Sequence, residues 1–344
     1  MKIHVLANDG SPLGVTSKSI WGLDGRLGIG GAELAILTLC EGWQERGYDV
    51  TFYNNPNEGG ASPFKQKTLD EFDPAEDRDI LIVFRSPNER IKNAAGKKVW
   101  FSCDQYTIGD FKSFSKEVEK TVCISPFHAN YFRDMYGIDN TIVIDLPVRS
   151  HDYKSRSYNK ISKKCIYTSV PDRGAMPLHA IWALIHKEVP DAHLVLTSDW
   201  RLWNPEIDES VLAPYRLAYA RHPNVSYVGA VRRDVLIQHQ LEADLLLYPN
   251  LYDELFCITV AEAQVAGAIP ITSSIGAVET TNEFGVQISG HPTEPSFVDA
   301  FVEATVRRLQ YPHLREEQIA MQELAEKRFS LERILTEWEE KVFR

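Results

Sequence analysis

The stretch from Leu245 to Ser274 constrains the fold more than any other part of the chain. It reads LLLYPNLYDELFCITVAEAQVAGAIPITSS. Leu245–Tyr248 is short and apolar and is followed by proline, which is typical of a buried parallel strand. Thr259–Ala266 has the small apolar residues of a buried helix and stops at Gly267. Ile269–Thr272 is a second apolar strand, so the stretch predicts a strand–helix–strand unit of a doubly wound α/β sheet.

The loop between the first strand and the helix contains Glu254, and Glu262 follows eight residues later. Open α/β sheets bind ligands at the carboxyl ends of their strands, where this loop lies. The backbone N–H groups of residues 256–259 begin the helix, and together with the helix dipole they favour a phosphate group. We therefore expect two carboxylates beside a phosphate site, where they would bind hydroxyl groups. The alternative is a solvated helix face, but a carboxylate among small apolar residues requires a partner.

The spacing E-x7-E, placed after a strand and before a run with alanine and glycine that leads into the next strand, resembles the retaining family-4 glycosyltransferases of GT-B fold. The resemblance implies that Glu254 contacts the hydroxyls of the donor sugar and that Glu262 holds the nucleotide ribose. It also implies that the intervening backbone meets the diphosphate and the sugar, through Leu255, Phe256, Cys257, Ile258 and Thr259. Cys257 stands where glycine is common, and its Cβ would narrow the space beside the sugar.

The first half opens with another unit of this kind, a strand over Lys2–Asn8, a long loop over Asp9–Gly31 and a helix to about Arg46. The glycines at the start of the helix have the spacing G-x-G-G-x-E and lie far beyond the strand, so they do not form a dinucleotide-binding fingerprint. G-G-A-E at this position again resembles the family. The resemblance implies that Gly30 and Gly31 approach the donor phosphates from the opposite domain. A flexible surface loop is the alternative.

In the second half, Arg173 follows the apolar strand Cys165–Ser169. Asp-Arg-Gly here resembles the E-K-G motif of the family, which implies that Arg173 neutralises the leaving diphosphate. An arginine also offers a bidentate fork for phosphate. The second basic residue of the family has no counterpart, and a surface charge at a helix start is the alternative for Arg173. The resemblance further implies that Gly229 and Ala230 lie near the nucleotide base.

Arg85 and Asp104 each follow a predicted strand of the first half, Ile80–Phe84 and Lys98–Ser102. Both side chains are therefore expected at the carboxyl edge of the sheet. Arg85 could bind an anionic group of an acceptor or pair with Asp104. In the family a histidine near this position touches the donor sugar, which makes Asp104 a third candidate catalytic residue beside Glu254 and Arg173. A structural ion pair is an equal alternative.

Composition limits the partners and the location. The formal net charge of −11 argues against general binding to nucleic acid or anionic lipid. The five cysteines include no C-x-x-C pair, no His/Cys cluster or D-x-D motif indicates a metal, and no segment has the pattern of a signal peptide or membrane span. We therefore expect a cytoplasmic protein with reduced cysteines, no metal and no cofactor besides its nucleotide-sugar substrate, for which a UDP-sugar is one candidate.

The sequence thus predicts an α/β protein of GT-B fold, with two doubly wound Rossmann-like domains facing a cleft. Residues 1–150 would form the acceptor-side domain and residues 151–325 the domain that binds the nucleotide-sugar. Residues 326–344 would form a terminal helix that crosses back to the first domain. The polar, basic stretch Arg149–Lys164 is interpreted as the solvated connector between the domains.

The predicted function is retaining transfer of a hexosyl or pentosyl group from a nucleoside-diphosphate sugar to an acceptor hydroxyl. The acceptor class stays open among a glycan, a lipid-linked glycan and a small molecule. One alternative is a catalytically weak nucleotide- or glycan-binding protein of the same fold, because one cation and the histidine are missing. A lesser alternative is a glycosyltransferase that acts on nucleic acid through the basic stretch and the long first loop, which the net charge disfavours.

Overall fold

The structure, a computed structural model, describes residues 1–7, 13–57, 61–156, 158–202 and 206–344. The chain divides into two compact units. The first consists of residues 1–25, 29–147 and 329–344, and the second of residues 26–28 and 148–328. The end of the first predicted strand at Asn8 and the beginning of the long loop that follows it lie outside the described residues.

Within the described residues, the first unit contains a seven-stranded parallel sheet. Its strands are β1 (Lys2–Leu6), β2 (Asp49–Tyr53), β3 (Lys65–Lys67), β4 (Ile80–Phe84), β5 (Lys97–Phe101), β6 (Lys120–Cys123) and β7 (Thr141–Val143). Their order across the sheet is β3-β2-β1-β4-β5-β6-β7. The central strand β4 is buried at every residue, as expected for a parallel strand covered on both faces.

The helices of the first unit begin and end where local sequence signals place them. They are α1 (Gly31–Glu45), α2 (Phe111–Phe114) and α3 (Pro126–Tyr136), followed near the C-terminus by α12 (Leu331–Trp338). In α3 the Ser125 hydroxyl accepts a hydrogen bond from the N–H of His128, Pro126 is the first residue, and Gly137 ends the helix in the left-handed conformation. The local signals of α3 therefore account for both of its ends.

The second unit contains, within the described residues, a six-stranded parallel sheet. Its strands are β8 (Lys164–Tyr167), β9 (His193–Leu196), β10 (Val225–Tyr227), β11 (Leu245–Tyr248), β12 (Ile269–Ser273) and β13 (Val286–Ile288), in the order β10-β9-β8-β11-β12-β13. Its helices are α4 (Ser150–Lys154), α5 (Ala175–Glu188), α6 (Ala213–Tyr219), α7 (Arg233–Glu242), α8 (Ile258–Ala266), α9 (Val278–Thr281), α10 (Pro295–Leu309) and α11 (Leu314–Phe329). The predicted α/β class with two doubly wound sheets is confirmed.

In both sheets the strand order reverses at one point. The chain builds outward from β1 to β3 and then returns to the other side of β1 with β4, and in the second sheet β8 and β11 are related in the same way. Loops that leave two such neighbouring strands diverge to opposite faces of the sheet. A crevice therefore opens outside the carboxyl ends of these strands, and ligands bind there in doubly wound proteins.

The interpretation of Arg149–Lys164 as a solvated connector is wrong for part of its length. Ser150–Lys154 forms α4, and Tyr153 is buried with its hydroxyl donating to Gln240 Oε1 at 2.8 Å. Lys160 Nζ donates to the carbonyl oxygen of Gly267, at the end of α8, at 2.8 Å. A charged segment that lacks hydrophobic periodicity can still be ordered when its side chains bind partners on other elements. A local sequence pattern does not reveal such partners.

The strands β3 and β13 were not predicted. Both lie at an edge of their sheets, and their residues are exposed or half-buried. An edge strand contacts the core on one side only, so the apolar run that identifies an inner parallel strand is absent.

The C-terminal helix returns to the first unit, as predicted. Trp338 of α12 is buried, and its ring lies 5.2 Å from the rings of both Trp43 and Phe101. Gly42 allows α1 to approach α12 closely, because a Cβ at this position would lie 2.7 Å from a methyl carbon of Leu335. The last turn, Glu339–Phe343, is π-helical.

Replacing Trp338 with alanine should lower the free energy of unfolding by about 3–5 kcal/mol, because a large buried ring is lost and a cavity remains. Chemical denaturation followed by circular dichroism measures the change. Glu340→Ala, on the exposed side of the same segment, should change it by less than about 0.5 kcal/mol. Equal effects of the two variants would contradict this packing.

Candidate active site

Arg173 and Glu254 meet at the point where the second sheet reverses its strand order. Arg173 follows β8 and Glu254 follows β11, and Arg173 Nε lies 3.5 Å from Glu254 Oε1. The guanidinium carbon lies 3.5 Å from the centroid of the Tyr252 ring, and Nη1 lies 3.3 Å from Asp172 Oδ2. The cation is thus held against an aromatic face between two carboxylates, which fixes its position at the carboxyl edge of the sheet.

The carboxylate of Glu254 is positioned by its neighbours in the loop. The Tyr248 hydroxyl donates to Glu254 Oε1 at 2.8 Å, and the N–H of Ala277 donates to the Glu254 carbonyl at 2.7 Å. Gly276 has φ of +63°, and a Cβ there would lie 2.6 Å from Glu254 N, so only glycine fits beside this backbone. Burial raises the pKa of the Glu254 carboxyl above its usual range, although the charge of Arg173 and the Tyr248 hydrogen bond act against that rise.

Helix α8 begins immediately after this loop with Cys257 in the N-cap position. Cys257 has φ of +71° and makes no side-chain capping hydrogen bond. For an L-residue the left-handed region costs about 1–2 kcal/mol, which explains why glycine suits this position. The side chains of Leu255 and Phe256 are buried. A ligand at this turn would therefore meet backbone, including the first N–H groups of the helix, which have no acceptor within it.

Thr259 ties the start of α8 to the neighbouring strand. Its hydroxyl donates to the carbonyl of Thr168 at 3.0 Å, just beyond the end of β8. Ile258 is half-buried at the first helical position. The structure therefore places the predicted backbone segment 255–259 beside the loops that carry Arg173 and Glu254, all within the second unit.

Glu262 is buried and has a different set of partners. Arg233 Nη1 donates to Glu262 Oε1 at 2.8 Å, and Gln240 Nε2 donates to Oε2 at 3.2 Å. Arg233 and Gln240 both lie on α7, so the partner that this carboxylate requires comes from a neighbouring helix. The role of Glu262 toward a ribose stays a prediction.

Arg233 extends this contact into a buried network. Its Nε lies 2.9 Å from Asp152 Oδ2, which also contacts Arg149 Nε at 3.1 Å. The other Asp152 oxygen lies 3.0 Å from His151 Nε2. Burial opposes ionisation of Asp152, but the hydrogen bond with His151 and the charges of Arg149 and Arg233 outweigh it and lower its pKa to about 2.

Gly229 and Ala230 follow β10 and contact the loop after β9. The N–H of Ala230 donates to Asp199 Oδ2 at 3.1 Å, and the Asp199 carboxylate also binds Arg201. The N–H of Ala230, which was predicted to lie near the nucleotide base, is therefore already hydrogen-bonded to the Asp199 carboxylate. The contact of Gly229 and Ala230 with a base stays a prediction.

The candidates of the first unit are grouped at the carboxyl edge of their own sheet. Arg85 Nε and Nη2 donate to the two oxygens of Asp104 at 2.6 and 2.8 Å, and Nη1 donates to Glu33 Oε1 at 3.3 Å. Arg85 has φ of +67°, a strained conformation of the kind that clusters at functional sites. The ion pair considered as one alternative is therefore present. Gly30 is the N-cap of α1 and Gly31 its first residue, and their contact with phosphates stays a prediction.

Several residues of this arrangement were missed by sequence reasoning. Tyr248 is the last residue of the apolar strand β11 and lies six residues before Glu254, so a polar group at the end of this strand was a usable signal. Arg233 and Asp152 gave none, because the two are separated by 81 residues in the chain. Tyr252 is recognised only once the loop after β11 is seen folded over Arg173.

The structure also bears on metal binding, on the state of the cysteines and on membrane-spanning helices. Across the described residues, no group of three or more His, Cys, Asp or Glu side chains is placed to hold a metal ion. The five cysteines are free, and four of them are buried. Among the helices of the described ranges, none combines the length and the apolar character needed to span a membrane.

Replacing Arg233 with methionine should lower the free energy of unfolding by about 3–5 kcal/mol, because Asp152 and Glu262 would remain buried without their shared cation. Adding Glu262→Gln should recover part of the loss, since one of the two buried charges is then removed. Chemical denaturation of the single and double variants measures both steps. Arg232→Met, next to Arg233 but 55% exposed in its side chain, is the control and should have little effect.

The raised pKa of Glu254 predicts a pH-dependent effect of Glu254→Gln on stability. A carboxyl whose pKa is higher in the folded state stabilises that state below the usual value of 4.5, and the contribution is lost as pH rises through the folded-state pKa. The variant should therefore melt at a higher temperature than the wild type at pH 7, and the two should converge at acid pH. A lower melting temperature of the variant at pH 7 would show that the ion pair with Arg173 outweighs burial.

Comparison with known proteins identifies the architecture. Residues 169–310 match the family model described as glycosyl transferases group 1, a span that holds Arg173, Glu254 and Glu262. A search of curated proteins finds no match.

Solved structures with a similar fold cover nearly the whole chain. Sucrose-phosphate synthase from Thermosynechococcus elongatus is 15% identical with a TM-score of 0.72, and covers 99% of this chain and 98% of its own. Anabaena HepE in complex with UDP-glucose is 16% identical with a TM-score of 0.69 and 99% coverage of both chains. A glycosyltransferase from Rickettsia africae is 15% identical with a TM-score of 0.68, covering 99% of this chain and 97% of its own. The chain therefore has the GT-B fold, and its residues 169–310 match a group 1 glycosyltransferase domain.

Proposed function

We propose that this chain is a retaining glycosyltransferase that moves a sugar from a nucleoside-diphosphate sugar to an acceptor hydroxyl. The observation that carries the proposal is the Arg173–Glu254 pair beside the N-terminus of α8, at the strand-order reversal of a domain that matches the group 1 model. Among structures of the same fold, HepE is in complex with the nucleotide-sugar UDP-glucose, and starch synthase IV from Arabidopsis thaliana is bound to ADP and acarbose. A UDP-sugar is accordingly the first donor to test.

In the proposed step, the bond between the anomeric carbon and the diphosphate oxygen breaks as the acceptor oxygen bonds to the same face of that carbon. The acceptor proton passes to the leaving diphosphate oxygen. Negative charge develops on the diphosphate, and fixed donors that face it lower the barrier. Arg173, oriented by the Tyr252 ring, and the first N–H groups of α8 would supply that stabilisation.

The two glutamates would hold the donor. Glu254, oriented by Tyr248, would accept hydrogen bonds from hydroxyls of the transferred sugar. Glu262 would bind the ribose, since a carboxylate accepts about four hydrogen bonds and Arg233 and Gln240 use two. We assign no metal to this step, and activity that persists in excess EDTA would support that assignment.

A second candidate function is a nucleotide-binding protein with weak catalysis. The observation that favours it is the region where the family carries a second basic residue, which here holds Thr168 and Ser169. Their hydroxyls contact Thr259 and Tyr248 and bring no positive charge. Binding of a nucleoside diphosphate without any turnover of its sugars would select this alternative.

The alternative of a glycosyltransferase that acts on nucleic acid loses much of its support. The basic stretch that would engage it is tied into the second unit, with Arg149 paired to Asp152 and Lys164 paired to Glu242. Lys160 is likewise engaged at the end of α8. Fewer cations are then available for phosphate contacts, on which such binding depends.

Arg173→Ala should lower kcat for transfer by about 100-fold, because a charge that stabilises the leaving group is removed. Arg173→Lys should lose less, since it keeps the charge without the planar fork. Glu254→Gln should also lose most of the transfer. Release of nucleoside diphosphate in the presence of a mixed acceptor pool measures the rate, and the stereochemistry of the product by NMR tests retention.

Lys187→Ala is the matched control for Arg173. It removes an exposed cation from the last turn of α5, the helix whose start follows Arg173, and should leave the rate unchanged. Circular dichroism confirms the fold of each variant. Wild-type rates in both Arg173→Ala and Glu254→Gln would overturn the proposed function.

A further inference from the structure

The loop that follows β5 in the first unit exposes two large apolar side chains. Tyr106 is 63% exposed and Ile108 is 58% exposed. The loop continues directly from Asp104, so it lies at the carboxyl edge of the first sheet, where doubly wound proteins bind ligands. Two large apolar side chains left in water on one loop at a ligand-binding edge make this loop a candidate binding surface.

The ring of Tyr106 is held flat against the protein on one side. It stacks on Phe111 with 5.3 Å between ring centroids and 28° between planes. Phe111 is buried and packs edge-on against Trp100 at 4.9 Å. Because one face of Tyr106 is covered while most of its surface stays exposed, the opposite face is open to solvent and has a fixed orientation.

The backbone of the loop is also held in place. The Tyr136 hydroxyl donates to the carbonyl of Gln105 at 2.8 Å. At the other end, the Asp110 carboxylate caps α2 by accepting from the N–H of Ser113 at 3.0 Å. A ligand that stacks on Tyr106 therefore loses little free energy to ordering of the loop.

Carboxylates of the first unit lie at the same edge of the sheet as this loop. Asp104 lies two residues before Tyr106 and is held with Glu33 by the single guanidinium of Arg85. Two carboxylates share one cation here, so the group favours hydroxyl donors over an anionic ligand. An open aromatic face and fixed carboxylates at one edge of a sheet suit a saccharide, which has an apolar ring face and a rim of hydroxyls.

We propose that Tyr106 is the stacking platform for a saccharide acceptor, with Asp104 and Glu33 accepting hydrogen bonds from its hydroxyls. This inference rests on the proposed function, since a transfer reaction needs an acceptor site besides the donor site. It selects a glycan, rather than a lipid surface or a nucleic acid, as the acceptor class. The acidic neighbours and the net charge of −11 disfavour both anionic alternatives.

Binding can be measured without any transfer reaction. In Tyr106→Trp the platform becomes a fluorophore, and a stacked sugar should shift its emission to shorter wavelength because water leaves the open face. The probes are oligosaccharides of glucose, galactose, mannose and N-acetylglucosamine. Tyr311→Trp, at an exposed tyrosine of the second unit that is 40% exposed, is the matched control and should show no shift.

Transfer to the saccharide that binds gives the second readout. Tyr106→Ala should lower kcat/KM for this acceptor by about tenfold, the loss expected for one aromatic stacking contact. Tyr106→Trp and Tyr106→Phe should retain it, because any aromatic ring supplies the face. The melting-temperature rise caused by UDP should be the same in the wild type and Tyr106→Ala, which separates this platform from the donor site.

Three results would overturn the platform. The first is an unchanged emission of Tyr106→Trp with every saccharide, and the second is full transfer by Tyr106→Ala. The third is an emission shift only with phosphatidylglycerol vesicles or with a short oligothymidylate, which would assign the ring to a lipid surface or a nucleic acid. If saccharides bind but no nucleotide-sugar is turned over, the platform stands and the proposed function fails.

Discussion

The reversal of strand order between β8 and β11 is the constraint on which the candidate site depends. Parallel strands are joined by crossover connections. Where the connections from two adjacent strands run to opposite faces of the sheet, a crevice stays open at the carboxyl ends of these strands. Arg173 and Glu254 occupy the two loops that border this gap. Their charges meet because the sheet topology brings together segments that are far apart in the chain, and α8 adds its N-terminus to the same edge.

Buried charge is the second organising feature of this unit. Asp152, Arg233 and Glu262 are all nearly excluded from solvent, and Arg233 is the cation that the two carboxylates share. The network joins the short helix α4 to α7 and α8, so the first residues of the second unit are linked to the helix that borders the site. In the first unit a smaller group of the same kind, Arg85 with two carboxylates, occupies the carboxyl edge of its sheet.

Much of the fold followed from patterns that act over a few residues. Inner strands are continuous apolar runs because both faces are buried, and helix ends carry serine, proline or glycine because free backbone groups need capping. These rules predicted the α/β class, the helix α1 and the crossover that contains Glu254. They failed for the edge strands β3 and β13, which are buried on one side only, and for α4, whose residues are mostly polar.

The sequence by itself determined which residues have the chemistry of a phosphate and sugar site, and that Glu262, among small apolar neighbours, would need a partner. Only the tertiary structure decided that the partner is Arg233, that Tyr248 and Tyr252 orient Glu254 and Arg173, and that the ring of Tyr106 has one open face. The physical reason is the separation along the chain of the residues that interact. Capping and periodicity are properties of neighbouring residues, whereas the pairing of a charge and the exposure of a ring depend on segments that meet only when the sheet is assembled.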